Sequence, residues 1–307
     1  MLLTNLHAAK SFIFQLKSAC HSAFLIIFSL PSHNQATKSP MLEILEDRSL
    51  FVISGPDRLS FMQGLITKNC IGLADHQLIY ALMLSPHGKY LYDFFLVNDS
   101  DKLYIDIATP LSEEFFNKIQ LYKLRSNISI SREDSLIVVS SDSNQIALQA
   151  EIIHLQPDPR SSLLGFRIFS TKTNIYSDDK FYHEKRIANI IPEGFYDMIQ
   201  NASFPLEYGF DQINAIDFDK GCYVGQELIA RTHFRGEIRK KIFLLESNGN
   251  FAPKGTIIFH ENKKIGVIGS SYHSKGLALL RVEDVQDCEI NHLIIDNIEY
   301  KIHKDRL

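Results

Sequence analysis

Short apolar runs separated by turn residues recur from residue 41 onward and predict a mixed α+β architecture. Residues 50–53 have the pattern of a buried strand that stops at Gly55-Pro56. Further strands are predicted at residues 78–84, 90–97, 103–108, 136–139 and 165–169, and helices after Asp57, from Thr109 to about Leu124 and over residues 181–189. Because no glycine-rich strand-to-helix turn appears, the alternation favours an α+β unit over a doubly wound sheet.

The last section of the chain is strand-like throughout. Predicted strands cover residues 242–245, 256–259, 264–271, 277–282 and 293–303. Short strands separated by Gly, Pro, Asn and Asp turns are typical of small barrels and sandwiches. We therefore expect an α+β region at residues 41–235, followed by a small C-terminal β-barrel at residues 236–307.

Residues 1–40 differ from the rest because they contain lysines but no acidic residue and no arginine. The apolar run at residues 23–30 is too short to span a bilayer. The segment has three interpretations: a secretory signal with a poor cleavage site, an organelle transit peptide without the usual arginines, or an extension ahead of a true start at Met41. We leave it out of the fold prediction.

Composition and charge limit the possible functions. The chain has 307 residues, 45% of them hydrophobic and 22% charged, which is enough for two or three packed units. A formal net charge of -4 argues against a general nucleic-acid binder, and we expect no membrane partner. The cysteines lie far apart without metal-binding spacing, so we expect free thiols in a reducing compartment and no metal site.

The densest chemistry lies at residues 220–236. Gly221 and Gly225 flank Cys222 and indicate a backbone that turns sharply or lies close to another segment. After Gly225, good helix formers predict about two helical turns that end near residue 236. Cys222 would then precede a helix N-terminus and follow Lys220 by two residues. Both features favour a thiolate, although a cysteine that only fills space is compatible with the same local sequence.

The run Lys220-Gly221-Cys222-Tyr223-Val224-Gly225-Gln226-Glu227, with Ala230-Arg231 and Phe234-Arg235-Gly236 after it, resembles the signature of the YgfZ family of folate-binding proteins. That family includes mitochondrial iron–sulfur assembly factors, and it shares its fold with the glycine cleavage T-protein, an aminomethyltransferase. The earlier run Phe61-Met62-Gln63-Gly64-Leu65-Ile66-Thr67 is similar to the family's N-terminal motif, with departures at Met62 and Leu65. The resemblance implies a T-protein-like fold in which the α+β region surrounds a folate cleft.

The resemblance also implies a ligand and its contacts. Tetrahydrofolate would be the cofactor and Cys222 the essential thiol. Cofactor-binding residues would be Lys220, Tyr223, Gln226, Glu227, Arg231 and Glu207. Glu207 could accept hydrogen bonds from a pterin ring, or it could be a solvated loop carboxylate. Between residues 231 and 241, five Lys/Arg stand against one Glu, so this basic cluster could bind the glutamate tail of folate or form a solvated face.

The function implied by the resemblance is that of a tetrahydrofolate-binding factor for the assembly or repair of iron–sulfur clusters in client enzymes. Its partners would be those clients or the cluster assembly machinery. We expect a cytoplasmic monomer, or a mitochondrial matrix protein if residues 1–40 are a transit peptide. A folate-dependent aminomethyl transferase is the alternative, but Tyr92-Asp93 stands where those enzymes carry an Asp-Asp pair. A third possible function is that of a structural module that binds client proteins and has no affinity for folate.

Overall fold

The computed structural model describes residues 40–146, 150–172, 180–286 and 290–304. The predictions for residues 1–39, and for the cysteines Cys20 and Cys288, lie outside these described residues. The chain forms three antiparallel sheets within the described ranges. None of the helices in these ranges combines the length and the apolar character needed to cross a membrane.

The strands are β1 Leu42–Ile44, β2 Arg48–Ser54, β3 Leu78–Leu84, β4 Tyr90–Asp99, β5 Lys102–Ala108, β6 Ser129–Glu133, β7 Leu136–Ser141, β8 Ile152–Pro157, β9 Phe166–Thr171, β10 Lys240–Ser247, β11 Ile257–His260, β12 Lys263–Tyr272, β13 Lys275–Arg281, β14 His292–Ile295 and β15 Ile298–His303. The α-helices are α1 Arg58–Gln63, α2 Thr109–Lys123, α3 Phe181–Ala188, α4 Gly194–Asp197, α5 Gln226–Arg235 and α6 Val282–Gln286. Two 3₁₀ helices cover Ser162–Leu164 and Pro205–Tyr208.

The five-stranded sheet, in the order β3-β4-β5-β2-β6, is covered on both faces. On one face, Phe115 and Ile119 of α2 pack into a core with the side chains of β2 and β4. On the other face, Tyr80 shares a second core with Phe169 of the four-stranded sheet, whose order is β1-β7-β9-β8. Burial on both faces explains why all seven residues of β3 are buried and why its sequence is an almost continuous apolar run.

The third sheet forms the C-terminal barrel. Its six strands follow the order β11-β12-β13-β10-β15-β14, and the edge strands β11 and β14 contact each other, so the sheet is nearly closed. Phe243, Ile268 and Tyr300 lie in its core, where the Tyr300 hydroxyl accepts a hydrogen bond from the Ala252 backbone N–H at 2.8 Å. The predicted α+β architecture with a C-terminal barrel is thus confirmed.

Several details differ from the sequence prediction. The strand β8 was not predicted, because its polar residues and Pro157 read as a loop. The predicted strand at residues 293–303 is a hairpin, since Asp296 and Asn297 adopt positive φ angles of 51° and 63°. Asn and Asp tolerate this left-handed conformation better than most residues. Asp57 does precede α1, but its carboxylate accepts from the Asn127 backbone N–H instead of capping the helix.

Candidate functional site

The segment at residues 220–225 has no regular secondary structure and leads directly into α5, as predicted. Gly225 is the N-cap of α5 with φ 84°, and a Cβ atom there would lie 2.5 Å from the Ser85 carbonyl oxygen. Only glycine fits this position without strain. Gly221, in contrast, has no neighbour within 4 Å of an added Cβ, so its backbone does not require glycine for space.

Lys220 anchors this segment to the N-terminal motif. Its Nζ donates to the backbone carbonyls of Gln63, Ile66 and Lys68 at 2.8, 2.6 and 2.8 Å. Burial lowers its pKa to about 8. Because an ammonium has three N–H donors, these three bonds use all of them. The side chain of Lys220 therefore ties two chain segments together, while its predicted action on Cys222 or on a cofactor stays a prediction.

Cys222 lies on the surface. Its side chain is exposed, it is not in a disulfide, and in the described part of the chain its Sγ has no hydrogen-bond or ionic partner. Cys70 is its opposite: the thiol is buried, it donates to the Leu59 carbonyl at 3.2 Å, and burial raises its pKa to about 11. Of these two thiols, Cys222 is the one that a partner or reagent can reach.

The other predicted residues near Cys222 do not converge on one point. Tyr223 is buried, which raises its pKa to about 12, and its ring lies 4.9 Å from the Lys220 Nζ. Gln226 is half-buried in the first turn of α5. Glu227 and Arg231 are exposed and lie one turn apart on the same face of the helix. This face is open to a ligand or a partner but does not form a closed pocket.

Glu207 lies in a cleft between α5 and the barrel. It borders three cavities of 640, 420 and 200 Å³. Basic groups surround it: Lys240 Nζ is 3.8 Å from the carboxylate, and Arg239 and Arg281 line the same space. Burial raises the pKa of Glu207, while Lys240 acts in the opposite direction. We call this region the Glu207 cleft.

The Glu207 cleft is lined by apolar, acidic and basic residues. Its apolar wall contains Phe204 and, from α5, Leu228. Two acidic residues, Glu237 and Glu283, stand among the basic ones. Cys222 is not among the residues that line these cavities. The structure thus places a carboxylate and several cations around one opening, with the exposed thiol outside it.

Comparison with known proteins finds one matching family model and several proteins of similar sequence. A family model described as CAF17, C-terminal beta-barrel domain, matches residues 239–305. An iron-sulfur cluster assembly factor IBA57 homolog, mitochondrial, from Dictyostelium discoideum is 31% identical, over 65% of this chain and 60% of its own length. The Mycosarcoma maydis homolog is 33% identical, over 64% and 54%. The human IBA57 is 26% identical, over 79% and 78%.

The chain is thus similar to the IBA57 iron–sulfur cluster assembly factors. The match spans less than two thirds of the length of the first two relatives. These relatives carry the IBA57 name and not the YgfZ name suggested by the motifs. A crystal structure of glycine cleavage system aminomethyltransferase T from Bartonella henselae superimposes with a TM-score of 0.64 at 12% identity, covering 87% of this chain and 86% of that one. This likeness establishes the T-protein fold.

Asp93, the carboxylate that remains from the expected Asp-Asp pair, is closed off. Its side chain is 1% exposed and accepts hydrogen bonds from the hydroxyls of Tyr80 at 2.6 Å and Tyr90 at 2.7 Å. Gly194 packs so tightly here that an added Cβ would lie 2.3 Å from an Asp93 oxygen. A substrate has no room at this carboxylate.

Sequence reasoning missed a buried ionic network beside Asp93. Its members are Arg48, Arg160, Arg167, Arg186, Asp106, Asp158, Glu193 and Asp197. Burial alone would raise the pKa of the Glu193 carboxyl. The attraction of the Arg48 and Arg160 guanidinium groups is stronger and holds this pKa well below its ordinary value. The sequence feature that could have indicated this network is the presence of charged residues, such as Arg167, inside predicted strands.

Proposed function

We propose that this chain is a tetrahydrofolate-binding factor that serves the assembly or repair of iron–sulfur clusters in client enzymes. The names of its relatives support the cluster assembly role. The observation that carries the proposal is the exposed thiol of Cys222, which has no partner among the residues that the structure describes. Soft thiolate ligands suit iron–sulfur clusters, so an accessible cysteine fits this chemistry better than the buried Cys70 does.

The thiol is held on a fixed backbone. Lys220 is bound to three carbonyls on one side of Cys222, and the Val224 backbone N–H donates to the Gly64 carbonyl at 3.1 Å on the other. Gly225 then packs against Ser85. A thiol presented by a loop anchored on both sides can meet a client or a cluster intermediate at low cost in conformational entropy.

The Glu207 cleft is our proposed folate site. A half-buried carboxylate can accept paired N–H donors from a pterin ring, and Arg239, Lys240 and Arg281 can bind the carboxylates of the glutamate tail. The larger cavities, 420 and 640 Å³, lie in the size range of small-molecule sites. Glu227 and Arg231 then remain available for a protein partner.

We further propose that the protein works in mitochondria with the cluster assembly machinery. The relatives are named as mitochondrial proteins, and nothing in the comparisons supports the cytoplasmic location first expected. The aminomethyl transferase remains the alternative because the fold is that of the T-protein. The closed surroundings of Asp93 favour the assembly factor over the transferase.

Rescue in cells tests the role of the thiol. In cells that lack this protein, the wild-type chain should restore the activity of a dependent iron–sulfur enzyme, and Cys222→Ser should not. Asp219→Ser, a change at another exposed position three residues away in the same loop, is the control and should rescue. Full rescue by Cys222→Ser would remove the thiol from the mechanism. Product formation from an aminomethyl donor and tetrahydrofolate would instead support the transferase.

A further inference from the structure

Two histidines and an aspartate meet far from Cys222, between two sheets. His76 lies in the loop that precedes β3, Asp99 ends β4, and His154 lies in β8 at the edge of the four-stranded sheet. One potential ligand atom from each of the three side chains lies within 4.8 Å of the other two. Because the three residues are far apart in sequence, metal-ligand spacing gave no sign of them.

An ion at this place would bind only one nitrogen of each imidazole, and for His154 we assign Nε2. Asp99 Oδ2 lies 3.5 Å from that nitrogen. Zinc binds imidazole nitrogen at about 2.0–2.1 Å in tetrahedral geometry, so two ligand atoms on one ion lie about 3.4 Å apart. The other nitrogen of His154, Nδ1, lies 3.4 Å from His76 Nδ1, a distance that a hydrogen bond between two neutral imidazoles explains. That contact leaves His154 Nε2 without a hydrogen-bond partner among the described residues.

His154 supplies an independent observation. Its side chain is 2% exposed, yet within the described ranges its Nε2 has no hydrogen-bond partner. The rings of Tyr104 and Phe169 contact it edge-on, with centroid distances of 5.1 and 5.8 Å, and fix its orientation. A buried nitrogen without a partner is costly, and coordination would satisfy it.

We propose that His76, Asp99 and His154 form a binding site for a divalent transition metal of the zinc type, with solvent as the fourth ligand. Imidazole and carboxylate ligands suit zinc. His76 is 54% exposed and lies at the entrance, where Asp75 stands 3.9 Å from its Nε2 and can orient the ring. A bound ion would link the five-stranded sheet to the edge of the four-stranded sheet and stabilise their packing.

Metal titration of the purified full-length chain, after treatment with a chelator, tests this site. Co²⁺ should bind one-to-one with the visible d–d bands of a tetrahedral ion and without a sulfur-to-cobalt charge-transfer band, and Zn²⁺ should displace it. His76→Gln and Asp99→Asn should each weaken Zn²⁺ binding at least about tenfold. His292→Gln, at another exposed histidine beside a carboxylate, is the matched control and should bind as the wild type does.

Thermal unfolding provides the second measurement. Zn²⁺ should raise the Tm of the wild type and of His292→Gln, but not that of His76→Gln. His76 is partly exposed, so its replacement should leave the chain folded. Equal Zn²⁺ affinity in the wild type and in His76→Gln, or no binding by the wild type, would overturn the proposal. Neither result bears on the folate site or on Cys222.

Discussion

Replacing Lys220 by methionine should destabilise the folded chain by about 3 kcal/mol without slowing the alkylation of Cys222. Methionine fills a similar volume but cannot donate a hydrogen bond. The carbonyls of Gln63, Ile66 and Lys68 would each lose the donor that now lies 2.6–2.8 Å away. Since Lys220 joins the two family-like motifs, the change probes how the loop of Cys222 is held.

The magnitude follows from two opposing effects. Each buried carbonyl that loses its donor costs about 1–3 kcal/mol, which gives about 3–9 kcal/mol for three. Methionine avoids the desolvation of the ammonium, which lowers the pKa of Lys220 from 10.5 to about 8. That relief is at most about 3 kcal/mol, and less where water screens the charge. The loss of the hydrogen bonds therefore dominates.

Urea unfolding measures the free energy of unfolding of the wild type and of Lys220→Met. Lys102→Met, at an exposed strand position, is the control. The alkylation rate of Cys222 at a fixed pH, measured on the folded proteins, gives the second readout. A destabilisation below about 1 kcal/mol would refute the anchoring role. A tenfold slower alkylation in Lys220→Met would show that the ammonium acts on the thiol, as the sequence suggested.

Three further predictions concern stability. Gly225→Ala should lower the free energy of unfolding by about 2 kcal/mol because of the positive φ of 84° and the close carbonyl, whereas Gly221→Ala should change it little. Asp106→Asn should cost about 3–5 kcal/mol in urea unfolding, since it removes the carboxylate partner of the buried Arg167 and one of the two carboxylate partners of Arg48, and a cost below about 1 kcal/mol would contradict this. Burial and a neighbouring guanidinium lower the pKa of His183 to about 4, so the unfolded chain binds a proton near pH 6.5 while the folded chain does not. Stability should therefore fall as the pH drops from 6.5 to 4, by up to about 3 kcal/mol, and His183→Gln should reduce this slope.

The sequence predicted those parts of the fold that depend on local pattern. The apolar runs located most strands, and the composition after Gly225 located α5, which ends at Arg235. The bend at Gly225 was also predictable, because a glycine before a helix start commonly marks positive φ. β8 was missed because it is a short edge strand that ends in Gln156-Pro157, which indicates a loop.

The candidate site was less predictable, because chain neighbours need not be spatial neighbours. Lys220 is two residues from Cys222, yet its side chain points to carbonyls more than 150 residues away in sequence. Glu207 was proposed from a motif, but its basic surroundings come from the barrel residues Lys240 and Arg281. Such contacts depend on how the sheets pack, which no local pattern records.

Calorimetric titration with tetrahydrofolate tests the central claim most directly. The purified full-length chain, kept under reducing conditions, should bind one equivalent, and Glu207→Gln should weaken binding at least about tenfold because the amide cannot accept the paired donors as the carboxylate does. Glu261→Gln, an exposed change in the barrel, should bind like the wild type. No heat of binding with the wild-type chain, or equal affinity in Glu207→Gln, would contradict a folate site in the Glu207 cleft.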